Sequence, residues 1–483
     1  MDLFGTTGIR RIFSPYDNGS ECFTPIMAYK IGLAIGTYSD SGRIVIGRDC
    51  RVAAVPIELS LCSGLVSSGC TVKTIGIVTT PTLSISVQLL DCDIGIMITA
   101  SHNTPEYIGI KLWNKNGLGF DHEQEEIIEN IYNQKKFKEI SWKDIGSITQ
   151  IYDINKMHIA WIFEKLGING NYKSQIKRNI SVIVDPGNGS ACEIAPMLLN
   201  KLGCKFITLN GQPDGSFPGR LSEPNSKNLR MLSTFVQASK DVEMGIALDG
   251  DADRVVFIDG KGNLIEPIRF LTFIAKEYLK LFPPKNFEKP RLFTPINSSR
   301  VIEAVLEKQD VKVIRTAVGD VNVALEIAKN GGFLGGENAG TFIWPKFHLG
   351  PDSLLTITLL LLVLQKSDKS FTELIDEIPI FPYTASKHQL KSESQFNKSQ
   401  YEIIRERMVR KLTEKGYKNI SITDFDGLHF NFEDGWVLIR KSGTSPIIRV
   451  EAESNSTIEK AKEILSMAES VLFELYEFGE MKE

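Results

Sequence analysis

The sequence predicts a layered α/β protein made of three similar units, closed by a smaller α+β unit. Three observations predict it. Short apolar runs of strand length alternate with segments whose apolar positions recur at helical spacing, which is the grammar of stacked strand and helix layers. Three successive stretches each end a strand in one polar, glycine-bearing loop, a period of roughly 110 residues against the 20 to 50 of solenoid repeats. After Pro379 and Pro382 that alternation gives way to consecutive strands and one packing helix. The expected units are 1–151, 152–263, 264–378 and 379–483.

In the first unit a helix is expected over 24–37 and a strand over 43–47, ending in Arg48-Asp49. A helix over 56–68, a strand over 71–77 and a connector lead to the apolar run 94–99. That run delivers Ala100-Ser101-His102-Asn103 to a strand end, where open α/β sheets bind ligands. Thr104-Pro105 turns the chain and the strand 108–112 carries Lys111 back. The polar span 134–150 reads as a seam.

The second unit has expected strands at 180–184, 204–209 and 244–248, and 254–259 returns at once, so Asp249-Gly250-Asp251-Ala252-Asp253 is a hairpin-like acidic loop. The third has strands at 291–295 and 311–315, the latter leading to Val318-Gly319-Asp320, and 332–334 leads into Gly335-Gly336-Glu337-Asn338-Ala339-Gly340. Residues 354–364 are apolar yet too short to cross a bilayer and read as a buried helix. In the last unit a polar helix at 402–415 precedes strands at 428–432, 436–440 and 447–452 and a helix at 457–475.

With 483 residues the chain buries several cores, and 42% hydrophobic and 24% charged residues exclude a disordered or fibrous protein. A net charge of −4 gives no general reason to bind nucleic acid or an anionic membrane. The seven cysteines are scattered and never spaced C-x-x-C, which argues against a zinc cage or a disulfide framework and for a reducing, cytoplasmic location. MDLFGTTGIRRIF has no signal-peptide core, so a soluble protein is expected.

Three constellations carry chemistry. Ser101 followed by an imidazole and an amide is a candidate reactive centre, although Ser-His-Asn is also ordinary loop composition. Asp249, Asp251 and Asp253 alternate along one turn and repel each other unless a cation sits among them. An EF-hand is excluded because Arg254 stands at its sixth position and Gly260 at its twelfth, leaving Mg2+ as the natural ion and a solvated acidic hairpin as the alternative. Arg440-Lys441-Ser442-Gly443-Thr444-Ser445, with Arg449 beyond, offers guanidinium, hydroxyl and amide donors suited to phosphate. Glu337 is placed to accept from sugar hydroxyls or to be a solvated turn residue.

The order LFGTTGIR, TASHN with a lysine following, DGDADR, GGENAG and RKSGTSPIIR resembles the α-D-phosphohexomutase family along nearly the whole chain. The resemblance implies three related α/β/α domains with mixed sheets and a C-terminal α+β lid domain around a central cleft. It implies that Ser101 carries a phosphoryl group, that Mg2+ is held by Ser101, Asp249, Asp251 and Asp253, and that a hexose 1,6-bisphosphate is activator and intermediate. Lys111 and His102 look like the acid/base pair, Arg10 steadies the transferring group, and Arg254, Glu337, Asn338 and Ala339 meet the sugar. Arg440, Ser442, Gly443, Thr444 and Arg449 would grip the non-reacting phosphate. The implied partner is a small phosphosugar, bound by a monomer or homodimer.

Five positions depart from the usual family pattern: Thr104, Ile108, Ala339, Lys441 and Ser445. They leave the serine, the lysine and the three aspartates in place and bear mainly on which hexose is preferred. The opening is similar to phosphoglucosamine mutases, and GGENAG with RKSG to archaeal-type enzymes of glucose, mannose or glucosamine phosphates. Two other readings stay open, a non-catalytic phosphosugar-binding paralogue and a metal-dependent phosphatase.

Overall fold

A computed structural model describes residues 3–5, 8–17, 21–168, 177–283, 289–391, 398–441 and 447–479. In the first unit β1 (Ile9–Ile12), β2 (Arg43–Arg48), β3 (Thr71–Ile77), β4 (Ile94–Ile98), β5 (Tyr107–Asn114) and β6 (Ser147–Gln150) form one sheet in the order β1-β5-β4-β2-β3-β6. β2 pairs in parallel with β3 and β4, while β5 runs antiparallel to β4 and β1. The expected seam is corrected here: its end is β6, which extends the sheet in parallel beside β3. All four β6 residues are exposed, so no apolar alternation marks the strand.

Two helices of this unit show why the sequence folds locally as it does. Thr24 accepts from Met27 N at 3.1 Å and Pro25 follows, a cap and a first-turn proline that start Pro25–Tyr38. That helix lies so close to Ala54–Ser67 that a Cβ on Gly64 would stand 2.1 Å from Tyr29 O. The connector after β3 is the helix Thr80–Leu89, capped by Thr79. It is buried on nearly every side, and a helix without a polar face has no helical period to detect.

The second unit orders β7 (Ser181–Asp185), β8 (Lys205–Thr208), β9 (Met244–Leu248), β10 (Val255–Asp259) and β11 (Leu264–Ile265) as β11-β10-β9-β7-β8. The third orders β12 (Arg291–Pro295), β13 (Lys312–Thr316), β14 (Leu334–Gly336) and β15 (Phe342–Ile343) as β13-β12-β14-β15. Each unit therefore has a parallel core whose last strand turns back antiparallel: β4 into β5, β9 into β10, β14 into β15. The three turns between those pairs are topological equivalents. They carry Ser101, the aspartate trio and Glu337 respectively.

One apolar core runs continuously through the second and third units. It is built around the helix Ser353–Gln365, the buried helix expected from 354–364. The fourth unit is an antiparallel sheet of β16 (Tyr383–Leu390), β17 (Ser421–Thr423), β18 (Leu428–Phe432), β19 (Gly435–Lys441), β20 (Ile447–Ser454) and β21 (Phe478–Gly479), ordered β17-β18-β19-β20-β16-β21. Helices Lys398–Glu414 and Ile458–Leu475 pack on it. It meets the third unit through Ile296 against Trp436 and Leu438, and through Arg300 N donating to Glu453 Oε1 at 2.9 Å. No helix among the described residues is long and apolar enough to cross a membrane.

Candidate active site

Strand β4 is buried throughout and hands Ser101 to its turn with φ at 49°, a left-handed conformation that a non-glycine residue holds only when its surroundings impose it. Those surroundings are a buried arginine. Arg51 Nε donates to Asp49 Oδ2 at 3.1 Å, and its terminal nitrogens donate to the carbonyls of Ser101, Asn103, Thr104 and Tyr107. Thr99 Oγ1 donates to Asp49 Oδ2 at 2.7 Å and accepts from Ser101 N at 2.8 Å. Both side chains of the Arg51–Asp49 pair are fully buried, so each backbone oxygen they hold is fixed in a low-dielectric setting.

The turn between β9 and β10 meets this loop directly. Ser101 Oγ donates to Asp249 Oδ2 at 2.9 Å, and His102 Nδ1 lies 3.3 Å from the same hydroxyl. Ser222 Oγ donates to Ser101 O at 2.8 Å. A Cβ on Gly250 would stand 2.5 Å from Ser222 Oγ and 2.8 Å from Ser101 O, so glycine is what lets the two loops touch. Asp249, Asp251 and Asp253 are all buried, and one oxygen of each lies within 4.8 Å of the others.

Lys111 Nζ donates to Asp251 Oδ2 at 2.9 Å and to Asp253 Oδ2 at 2.5 Å, and Thr80 Oγ1 donates to Asp251 Oδ2 at 2.7 Å. The remaining oxygens, Asp251 Oδ1 and Asp253 Oδ1, are buried with no hydrogen-bond partner. Unsatisfied buried carboxylate oxygens are costly, and hard anionic oxygens grouped this closely fit a divalent cation. The three carboxylates thus form a group able to hold a metal ion.

The electrostatics divide the groups sharply. Burial and the neighbouring Asp253 and Asp251 push Asp249 well above the usual carboxylate range. Burial would raise Asp251 too, but Lys111 and Thr80 hold it below that range. Burial disfavours a charge on Lys111, yet Asp251 and Asp253 raise its ammonium above the ordinary lysine value. Burial, together with Arg254, Arg10 and Lys111, drops His102 to about 2, so its imidazole is neutral at any working pH.

Arg10 Nη1 donates to Asn103 Oδ1 at 3.2 Å, on the same loop as Ser101. Arg254 N donates to Asp249 Oδ1 at 3.2 Å, and Val255 N donates to Gly340 O at 2.9 Å, joining the second hairpin to the third. Glu337 is buried and accepts from Gly319 N at 2.8 Å and Thr341 Oγ1 at 3.2 Å. Burial and the adjacent Asp320 push it to about 7. Asn338 donates to Asn297 O at 3.0 Å from an exposed position, and Ala339 is half-buried. A cleft of about 590 Å3 between the first and third units is lined by Gly8, Lys111, Gly319 and Asp320 among others.

Arg440 and Arg449 face each other across β19 and β20, and Arg440 Nε donates to Asp426 Oδ1 at 2.8 Å. Ser442, Gly443, Thr444 and Ser445 lie outside the described residues. Contacts thus bring Ser101, His102, Lys111 and the aspartates together, tie Arg10 and Arg254 to that group, and join Glu337 to it through its hairpin. Arg440 is tied instead to the third unit's loop, since Asp426 Oδ2 accepts from Val318 N at 2.8 Å.

The sequence reading gave no role to Arg51, Thr80, Ser222, Asp426 or Asp320, although it placed Asp320 in a polar loop after a strand. Three of them carried a usable signal: Arg51, Thr80 and Asp320 each follow a strand by a few residues, the same position that drew attention to Ser101. Ser222 and Asp426 sit on irregular loops with no such mark.

Sequence comparison matches four successive domains: phosphoglucomutase/phosphomannomutase alpha/beta/alpha domain I at 1–139, domain II at 162–262, domain III at 269–381 and the C-terminal domain at 404–470. A phosphoglucomutase/phosphomannomutase of Thermococcus kodakarensis is 38% identical over 481 residues, covering 98% of each chain. A phosphoglucosamine mutase of Methanocaldococcus jannaschii is 38% identical over 469 residues, covering 96% of each. Among solved structures, a phosphoglucomutase/phosphomannomutase family protein from Burkholderia thailandensis superposes with a TM-score of 0.81 at 25% identity, over 97% of this chain and 98% of that one. The Aspergillus fumigatus N-acetylphosphoglucosamine mutase, solved with GlcNAc-6P and magnesium, shares the fold at a TM-score of 0.63 and 15% identity, over 97% of this chain and 95% of that one.

Proposed function

Because this chain belongs to the phosphoglucomutase/phosphomannomutase family, whose members are phosphosugar mutases, we propose that it moves phosphate between O6 and O1 of a hexosamine or hexose phosphate. Glucosamine phosphate is the first expected substrate, with mannose and glucose phosphates second. The observation that carries the reading is the 2.9 Å contact between Ser101 Oγ and Asp249. It joins the only hydroxyl of the TASHN loop's serine-histidine pair to a carboxylate trio whose spare oxygens suit a cation.

In this reading phosphorylated Ser101 gives its phosphoryl group to a hydroxyl of the sugar phosphate, and the serine oxygen regains a proton. The bisphosphosugar turns over and returns its other phosphate to Ser101. Asp249, Asp251 and Asp253, together with Ser101, would hold Mg2+, which would supply neutralisation of charge on the phosphoryl group. Lys111, held protonated by its two aspartates, and His102, whose Nδ1 lies 3.3 Å from Ser101 Oγ, are the acid/base pair of this reading, with proton transfer left to the phosphorylated, substrate-bound site that would shift both groups back towards working pH. Arg10, whose Nη1 is anchored on Asn103, steadies the group in transfer. Arg254 and Glu337 meet the sugar beside Asn338 and Ala339.

Arg440 and Arg449 grip the non-reacting phosphate, a role the sequence motif also gives to Ser442, Gly443 and Thr444, which lie outside the described residues, so remote binding energy orients the reacting end. Scattered cysteines never spaced C-x-x-C fit a reducing, cytoplasmic setting, with the protein acting as a monomer or homodimer. The test is turnover of glucosamine, mannose and glucose 6-phosphates with Mg2+ after priming by a hexose 1,6-bisphosphate, alongside intact mass of the protein. Isomerisation with one phosphoryl group on Ser101 is expected. Release of inorganic phosphate without isomerisation, or an unmodified serine with no turnover, would overturn the reading.

A further inference from the structure

Asp426 occupies the loop between β17 and β18, 14 positions before Arg440 and outside every motif that drew attention to the site. Its position is set by Gly427, whose φ is +91° and whose added Cβ would stand 2.6 Å from Ile439 O and 3.0 Å from Arg440 Cβ. Only glycine lets the loop press onto β19 at this point. The carboxylate then reaches in two directions. Oδ1 accepts from Arg440 Nε at 2.8 Å, and Oδ2 accepts from Val318 N at 2.8 Å in the third unit. The next amide along, Gly319 N, donates to Glu337 Oε1 at 2.8 Å.

Two consequences follow from this geometry. With Nε committed to Asp426, the plane of the Arg440 guanidinium is fixed, and among the described residues its two terminal nitrogens make no hydrogen bond. A planar fork held this way presents a ready pair of donors to a phosphate. The second consequence concerns the sugar. The carboxylate that holds Arg440 also holds Val318 N, and the next amide, Gly319 N, holds Glu337, so the two grips share one chain of hydrogen bonds. Side chains of both Arg440 and Asp426 are largely buried, at 11% and 19% exposure, so the link is not loosened by solvent as a surface pair would be.

We propose that Asp426 is a positioning residue that couples the grip on the distal phosphate to the reading of the sugar by Glu337. The inference rests on the mutase reading above and deepens it: sugar preference is set partly from the fourth unit, by a residue that touches no sugar. An asparagine at 426 can accept from one partner but presents an NH2 to the other, so one arm of the link is lost. A glutamate retains both acceptors on a longer stem.

The experiment compares wild type, D426N, D426E and E337Q, and the D426N/E337Q double variant, with glucosamine, mannose and glucose 6-phosphates under bisphosphate priming. D426N is expected to raise KM about tenfold, the order of one charge-assisted hydrogen bond, while kcat moves less than about threefold. Its preference among the three sugars contracts, E337Q changes that preference less in the D426N background than alone, and D426E recovers much of the loss. Unchanged KM and preference in D426N would overturn the inference. So would a KM increase equal for all sugars with a fully additive E337Q effect, because the clamp would then act without coupling. Ser101 phosphorylation and thermal melting of D426N check that the variant is folded and primed. Failure of the mutase reading is recognised separately, as absence of wild-type turnover and of the phosphoserine.

Discussion

Ser101 Oγ donates to Asp249 Oδ2 at 2.9 Å, although 148 positions separate the two residues. They sit on equivalent turns of two α/β units, β4 to β5 and β9 to β10, and Gly250 permits the approach. This contact makes two loops with different chemistry into one centre.

Replacing the hydroxyl tests that centre first. S101A is expected to abolish phosphoryl uptake from a hexose 1,6-bisphosphate, with turnover lowered at least about a thousandfold, the order seen on removing a nucleophile. Intact mass and a coupled isomerase assay check it. A melting temperature near that of wild type is expected, since the side chain donates one hydrogen bond to Asp249 and faces one ring nitrogen.

Thr80 buttresses Asp251 without belonging to the proposed ligand set, through a 2.7 Å hydrogen bond to the oxygen that also accepts from Lys111. T80V keeps the shape and removes the donor. Calorimetric titration is expected to show Mg2+ affinity weakened about 10- to 100-fold, the usual effect of losing an outer support of a metal ligand. Chelation of the ion is expected to stop turnover in wild type and restoration of Mg2+ to recover it.

Arg51 holds the Ser101 loop from beneath. R51M leaves Asp49 buried without its cation and four backbone carbonyls without their donor. Denaturant unfolding is expected to register a loss of about 3–5 kcal/mol, as for other broken buried pairs. R51K recovers only part of it, because an ammonium cannot span the fork of acceptors.

Glu337 gives the pH dependence. Its carboxyl is raised from 4.5 to about 7 by burial and Asp320, so the folded chain holds this proton more tightly than the unfolded one. Its contribution to stability is present below pH 4.5 and is lost as pH rises through about 7. Sugar hydroxyls donate to the ionised form, so binding is expected to tighten across the same interval. KM measured from pH 6 to 8 should show a step that E337Q removes, while the titration of the substrate's own phosphate remains in both proteins.

The clearest parts of the fold to read in advance were the strands with one strong signature. Residues 244–248 and 291–295 fall on β9 and β12 because uninterrupted apolar runs bounded by turn residues leave little choice. The edge strand β6 and the helix Thr80–Leu89 escaped because one is exposed on both faces and the other buried on nearly all. Each lacks the contrast between faces on which periodicity depends.

The sequence by itself determined the chemistry on offer: a serine at a strand end, three alternating carboxylates, a returning lysine, and the order of motifs that marks the family. Those are properties of residue type and spacing, which the chain carries whatever its shape. Only the tertiary structure decided that Arg51 props the serine loop, that Asp251 is shared between Thr80 and Lys111, and that Asp426 joins Arg440 to the loop beside Glu337. Such contacts depend on turns from different strands and different sheets coming within 3 Å of each other, and no local pattern along one segment records the neighbour it will meet.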